Sequence, residues 1–366
     1  MKMDKEIALK YNASLRTSYN ATFLNQFDSN GAPINYTRTE TLIIGIILCC
    51  LILLTILGNL LVIVSVVTFR KLRTLTNYFV ISLAIADTLV AVLVMPFGVY
   101  QQVTNLQWGL GAVACKLSTC FDIYFSTSSI FHLSCLALDR YFAICKPFFY
   151  TEHISKTPIL IIIGLCWIIP SFISFLPILN GWNLFGIESI YEELNSDEGI
   201  CVFIVNIPFS LVCSSIAFYV PVVFMIVVNS KIYSAARRQA RQIQSLQIMD
   251  SPNKSNLDRR HKHMKAETKA AKTLSIIMGV FSLCWFPFFI FNVLDVFIGY
   301  QIPYVPWTIV LWLGWVNSTI NPFLYYWFNQ NFRNAYRMII SCGHCKGYRQ
   351  RDTLSISATG VSNLSE

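Results

Sequence analysis

Two aspartates stand where an acid is costly. Asp122 lies inside the largely apolar run from Ala112 to Lys146, and Asp87 sits in the apolar run before it. A charge near bilayer depth costs roughly 2.5–3.5 kcal/mol on insertion scales, so each acid is a functional-site candidate. A protonated amine placed on Asp122 would convert a lone carboxylate into a charge-assisted ion pair. Ser126, at i+4, shares its helix face. No Lys or Arg in the facing runs offers an internal partner. Trp285, Phe288 and Phe289 would pack an aromatic ligand or its cation, with plain core packing the alternative for the Phe pair. Cys213, Ser214 and Asn292 supply polar groups for the ligand's far end, although the serine hydroxyls can also bond backbone carbonyls. Asp295, one turn beyond Asn292, reads first as a solvated vestibule charge and second as an acid that would attract a diamine.

The same run closes with Asp139-Arg140-Tyr141. At ~1.5 Å per residue, Asp122 and Arg140 are ~27 Å apart, close to the ~30 Å hydrocarbon core. One helix would hold a carboxylate near one membrane face and a charged pair at the other. Asp87 with Ser129, Asn317 and Asn321 makes an oxygen-rich group suited to a hard cation, or to water alone. Pro287 removes a hydrogen bond and would kink its helix.

The elements that must position these residues follow from composition. Of 366 residues, 55% are hydrophobic and 13% charged, with mean hydropathy +0.54. A soluble domain is usually about a quarter charged, so that class is excluded. Apolar runs recur at roughly 41–69, 78–103, 112–145, 158–179, 202–230, 273–298 and 304–328, each long enough to span. The expectation is an all-α membrane protein: a seven-helix bundle over 41–341, between a tail at 1–40 and a tail at 342–366. Arg70, Lys71, Arg73, Lys146, Lys156 and the Lys/Arg-rich loop after the fifth run lie on one side, hence cytoplasmic. The net charge of +9 therefore reads as topology and not as nucleic-acid binding.

The N-terminal tail is then outside, where Asn12, Asn20 and Asn35 begin glycosylation sequons. Met1-Lys2 is followed by no apolar h-region, so a cleaved signal peptide is not expected. Cys115 and Cys201 share the oxidising side, where a disulfide would pin the acidic loop over the helix of Asp122. Cys342 and Cys345 follow an amphipathic stretch, 331–340, with Arg333 and Arg337 on its polar face. It reads as an interfacial helix anchored in lipid by palmitoylation.

Seven motifs in register carry a resemblance. Gly58-Asn59, Leu83-Ala84-Ile85-Ala86-Asp87, Asp139-Arg140-Tyr141, Trp167, Pro221, Cys284-Trp285-Phe286-Pro287 and Asn321-Pro322-Phe323-Leu324-Tyr325 resemble the rhodopsin class of G-protein-coupled receptors. Asp122 sits where the aminergic group keeps its ligand-binding aspartate. Ser129-Ile130-Phe131-His132-Leu133 and Glu267-Thr268-Lys269-Ala270-Ala271-Lys272 are similar to type-4 serotonin receptors. Trace amine-associated receptors share the short first cytoplasmic loop and Asn317-Ser318-Thr319. Their fingerprint has an aromatic at 329 and Trp at 331, where this chain has Asn329 and Asn331.

The resemblance implies a plasma-membrane receptor for a small protonated amine, with Ile123, Phe203, Trp312 and Trp315 completing the ligand wall. It implies sodium on the Asp87 group as an allosteric ion, and no other cofactor. It implies a restraint between Arg140 and Asp139 or Glu267, released as the sixth helix swings about Pro287, with Tyr141, Pro322 and Tyr325 in the switch. The partners would be a heterotrimeric G protein of the stimulatory class raising cAMP, then arrestin and receptor kinases. Two residues depart from the pattern. Asn229 replaces the Tyr that meets Tyr325 in the active state, and Trp315 replaces a Tyr that bonds the aspartate. The indole N–H of Trp315 still offers a donor to Asp122. A transporter would require repeats or broken helices, and an enzyme such as a zinc hydrolase would require a HExxH motif. Neither occurs in the sequence. A peptide receptor is the alternative within the class.

Overall fold

A computed structural model describes residues 36–189, 191–192, 201, 203–247 and 254–341. Hydrocarbon offers no partner to a bare N–H or C=O, so a chain crossing it must satisfy its backbone internally. The described residues accordingly fold into long helices: α1 (Arg38–Thr68), α2 (Leu75–Val103), α3 (Gly111–Cys145), α4 (Lys156–Leu179), α5 (207–247), α6 (Lys254–Phe297), α7 (Tyr304–Phe328) and the short α8 (Gln330–Ile340). Five of them (α1, α2, α4, and the apolar parts of α5 and α6) are apolar enough to cross a membrane on hydropathy alone. The 35-residue α3 and 25-residue α7 are long enough as well. Their lower hydropathy reflects the Asp, Ser, Thr and Asn that they turn inward.

The central helix is α3, which packs against α2, α4, α5 and α6, while α7 closes the bundle onto α1, α2 and α6. Burial is inverted on the periphery: Leu42, Ile46, Leu57, Ile161 and Val220 are exposed, whereas Thr55, Asn59, Ser128 and His132 are fully buried. This is the pattern of a protein whose outer face meets lipid and whose polar groups bond to one another. Thr55 shares a 2.6 Å hydrogen bond with Thr319, and the Asn59 amide donates to the Ser318 carbonyl, tying α1 to α7. On α3, His132 meets Ser82 at 2.7 Å, and Trp167 of α4 donates to the same hydroxyl. The histidine is thus a packed core residue.

Three local breaks shape the interior. In α2 the helix is interrupted at Val94, where Pro96 removes a donor and restarts the last turns, Met95–Val103. In α5 a π-turn, Ser215–Tyr219, precedes Pro221. The fifth apolar run starts before its helix does: residues 203–206 lie outside the helix, because the Asn206 side chain caps Phe209 N–H and Pro208 opens the first turn. Cys115 and Cys201 form a disulfide, which fixes this segment across one end of the bundle.

Asn329 has a local reason. Its Oδ1 accepts the N–H of Asn331 and Phe332, capping α8, whose Phe332, Ala335 and Tyr336 pack inward. Asn12, Asn20, Asn35, Cys342, Cys345 and the side chain of Glu267 lie outside the described residues.

Candidate ligand site

A cavity of about 260 Å³ opens at the disulfide end, between α2, α3, α6, α7 and the 201–205 segment. Asp122, Ile123, Phe203, Phe288, Asn292, Trp312 and Trp315 all line it. Ser126, Cys213, Ser214, Trp285 and Phe289 do not. Trp285 and Phe289 pack behind the wall: Trp285 meets the edge of Phe288, and Phe289 stacks on Phe218 at 4.2 Å. Ser214 accepts the Asn292 amide at 2.9 Å, while Ser210 donates to the Asn292 carbonyl. The polar groups of α5 therefore orient Asn292.

Asp122 is held asymmetrically. Trp315 Nε1 donates to its Oδ1 at 2.8 Å and Ser126 Oγ donates to the same oxygen at 3.2 Å. No donor among the described residues reaches Oδ2. Both neighbours are neutral, so they orient the carboxylate without cancelling its charge. Glycine makes room for this arrangement. A Cβ on Gly98 of α2 would lie 2.6 Å from the Trp315 ring, and one on Gly314 would lie 2.8 Å from Trp285. Trp312 packs edge-on against Trp315, with ring centres 4.9 Å apart. The bulkier residue at 315 is accommodated by the missing side chain at 98, a pairing that lies 217 positions apart in the chain.

Asp295 is not a solvated vestibule charge. It is 7% exposed and lines the same cavity. Its Oδ1 accepts Ile302 N–H at 2.9 Å and its Oδ2 accepts Trp307 Nε1 at 3.0 Å. Gln102, Trp307 and Thr308 also line the wall and were not singled out from the sequence. The helical period was the available signal, since Trp307 and Thr308 both fall about two turns before Trp315 on α7.

Below the cavity, Asp87 is completely buried. Ser129 donates to its Oδ1 at 3.3 Å, Ser318 to the same oxygen at 2.8 Å, and the Asn321 amide to Oδ2 at 2.8 Å. Asn317 makes no bond to Asp87; Ser318 takes the place expected of it, because the rotation of α7 turns the serine toward α2. The Oδ1 atoms of Asn317 and Asn321 and the Tyr325 hydroxyl are buried without a protein partner. Such orphaned oxygens beside an acid fit a hard cation or bound water.

At the opposite end, Arg140 forks onto Asp139 Oδ2 at 2.6 and 3.0 Å. Thr76 donates to that oxygen, and Tyr150 donates to Oδ1 at 2.9 Å. Burial, with Asp139 beside it, pushes the Tyr150 phenol up, so it remains a donor. Asn229 of α5 donates to Met278 of α6 and accepts from Ser275. In this structure it ties the two helices together.

A membrane bundle of seven helices with a buried acid facing a cavity at one end and an Asp-Arg pair at the other defines a receptor class. The rhodopsin family of seven-transmembrane receptors matches residues 58–325, and the chain belongs to that family. It is a receptor and not an enzyme. The chain is 45% identical over 330 residues to the 5-hydroxytryptamine receptor 4 of Cavia porcellus, covering 87% of this chain and 85% of that one. It is 38% identical to the octopamine receptor beta-2R of Chilo suppressalis (82% and 80% covered) and 36% identical to trace amine-associated receptor 4 of Mus musculus (79% and 82%). It is thus an aminergic member of the family.

Proposed function

We propose that this chain is a plasma-membrane receptor for a biogenic amine of the serotonin or trace-amine type. The ligand's ammonium binds Asp122, and the bound receptor activates a heterotrimeric G protein of the stimulatory class to raise cAMP. One observation carries the reading: both protein donors to Asp122 converge on Oδ1, which leaves Oδ2 for a ligand's N–H inside an aromatic-walled cavity. Phe288, Trp312 and Trp315 then face the rest of an aromatic amine, with Asn292 for a hydroxyl or indole N–H at its far end. The names of the relatives support the ligand class.

Binding reaches the far end through packing. Phe288 touches the ligand and Trp285 lies against Phe288, pressed on Gly314, so a ligand that shifts Phe288 moves Trp285 and biases α6 about Pro287. Opening of α6 breaks the Asn229–Met278 and Asn229–Ser275 contacts and uncovers the Arg140 end of α3 for the G protein. Asp87, Ser129, Ser318 and Asn321 would hold sodium, whose charge neutralises the buried acid and favours the closed bundle. With the disulfide end outside, Asn12, Asn20 and Asn35 carry glycans. Cys342 and Cys345 carry palmitate beside α8, and the basic end meets the G protein, then kinases and arrestin.

The test is cAMP in cells expressing the chain, across a panel of serotonin, phenylethylamines, octopamine and histamine, beside Asp122→Ala. A response to one amine that disappears in the mutant at equal surface expression supports the reading. An equal response in both removes Asp122 as the anchor.

A further inference from the structure

We propose that the cavity recognises a dicationic amine, with one ammonium on Asp122 and the second on Asp295. The inference rests on the amine reading of Asp122 and names the class of ligand that fits the whole site. Two carboxylates line one cavity, and among the described lining residues there is no Lys, Arg or His. Each acid is oriented by an indole from the same helix: Trp315 donates to Asp122 and Trp307 donates to Asp295. Eight residues separate the two tryptophans. At ~1.5 Å and ~100° per residue they lie ~12 Å apart along α7, within about 80° of one face.

The cavity thus holds one acid from α3 and one from α6, with Phe288, Leu311 and Trp312 as apolar wall and only neutral polar groups, such as Asn292 and Thr308, beside them. That pattern complements a chain of methylenes carrying a cation at each end. With each ammonium in a charge-assisted bond of ~2.8 Å, the two nitrogens would be ~6–12 Å apart, which about five to eight methylenes span. Asp295 retains capacity for this bond, since each carboxylate oxygen accepts two hydrogen bonds and each already takes only one.

A competing role is structural. Asp295 also closes the turn between α6 and α7, through Ile302 N–H on its side chain and Tyr300 N–H on its carbonyl. The two roles separate by experiment. Cells expressing the full chain are titrated with α,ω-diaminoalkanes from diaminobutane to diaminodecane and with n-alkylamines of matched length, reading cAMP and surface expression. The expected result is at least about tenfold higher potency for diamines than for the matched monoamines, with an optimum near diaminohexane to diaminooctane. Asp295→Asn should then lower diamine potency at least about tenfold more than monoamine potency. Asp295→Glu, one methylene longer, should move the optimum to a shorter diamine, which a turn staple would not do. It also carries the test if the Asn variant fails to reach the surface.

Diamines no better than monoamines, equal losses for both ligand classes in Asp295→Asn, or an unmoved optimum in Asp295→Glu would each overturn the inference. If monoamines still act through Asp122 in such a case, the proposed function stands and only the second anchor is lost. If no amine of either class acts and Asp122→Ala changes nothing, both readings fall together.

Discussion

Gly98→Ala tests whether Trp315 positions the acid. The new Cβ would lie 2.6 and 2.9 Å from two carbons of the Trp315 ring, where ordinary contact begins near 3.4 Å. The ring must therefore retreat by about 0.8 Å, since Gly98 is buried in a helix. The Trp315–Asp122 bond is 2.8 Å. A retreat along it opens the gap to about 3.6 Å, beyond hydrogen-bond range. A hydrogen bond to a charged group contributes roughly 1.5–3 kcal/mol, so amine affinity should fall about 10- to 150-fold. The assay is competition binding of the active amine on membranes, with surface expression measured in parallel. A second variant separates this from general damage. Gly98→Ala combined with Trp315→Tyr restores space with a smaller ring whose hydroxyl can donate, and it should recover at least about tenfold of the loss. Unchanged affinity in Gly98→Ala, or no recovery in the double variant, would refute the reasoning.

Other expectations follow from the same contacts. Gly314→Ala places a Cβ 2.8 Å from Trp285, so agonist efficacy should drop more than agonist affinity, read as maximal cAMP against binding. Asp139→Asn removes the acid that holds Arg140, Thr76 and Tyr150 together; a partly exposed pair contributes about 0–1 kcal/mol, so basal cAMP should rise up to about fivefold. Cys115→Ser opens a covalent closure between positions 86 residues apart, which typically costs about 2–5 kcal/mol, and thermal inactivation of ligand binding should move to markedly lower temperature. Asp87→Asn should abolish any effect of sodium chloride, relative to choline chloride, on agonist affinity; persistence of that effect would place the ion elsewhere.

Much of the architecture is set by local composition, for a physical reason. Hydrocarbon forces any apolar stretch of sufficient length into helix, so seven runs suffice to place α1 to α7 without knowledge of their packing. The same medium makes Asp87, Asp122 and the Asp139-Arg140 pair conspicuous, because a polar residue is retained there only with a partner or a use. Boundaries were less legible. Residues 203–205 are apolar but not helical, since Asn206 and Pro208 start the helix after them.

What only the tertiary structure decided is which of these residues meet. Ser318, and not Asn317, reaches Asp87 because side-chain direction depends on the rotation of α7, which is set by its packing on α1 and α2 and not by its own residues. Asp295, one turn beyond Asn292, read first as a solvated vestibule charge, yet the turn after α6 folds back and Trp307 covers it. The fit of Trp315 over Gly98 joins two residues with no local relation in the chain. Composition thus determined the helices and the polar residues within them. The helix rotations arise from long-range packing, and they gathered Asp122 and Asp295 around one cavity.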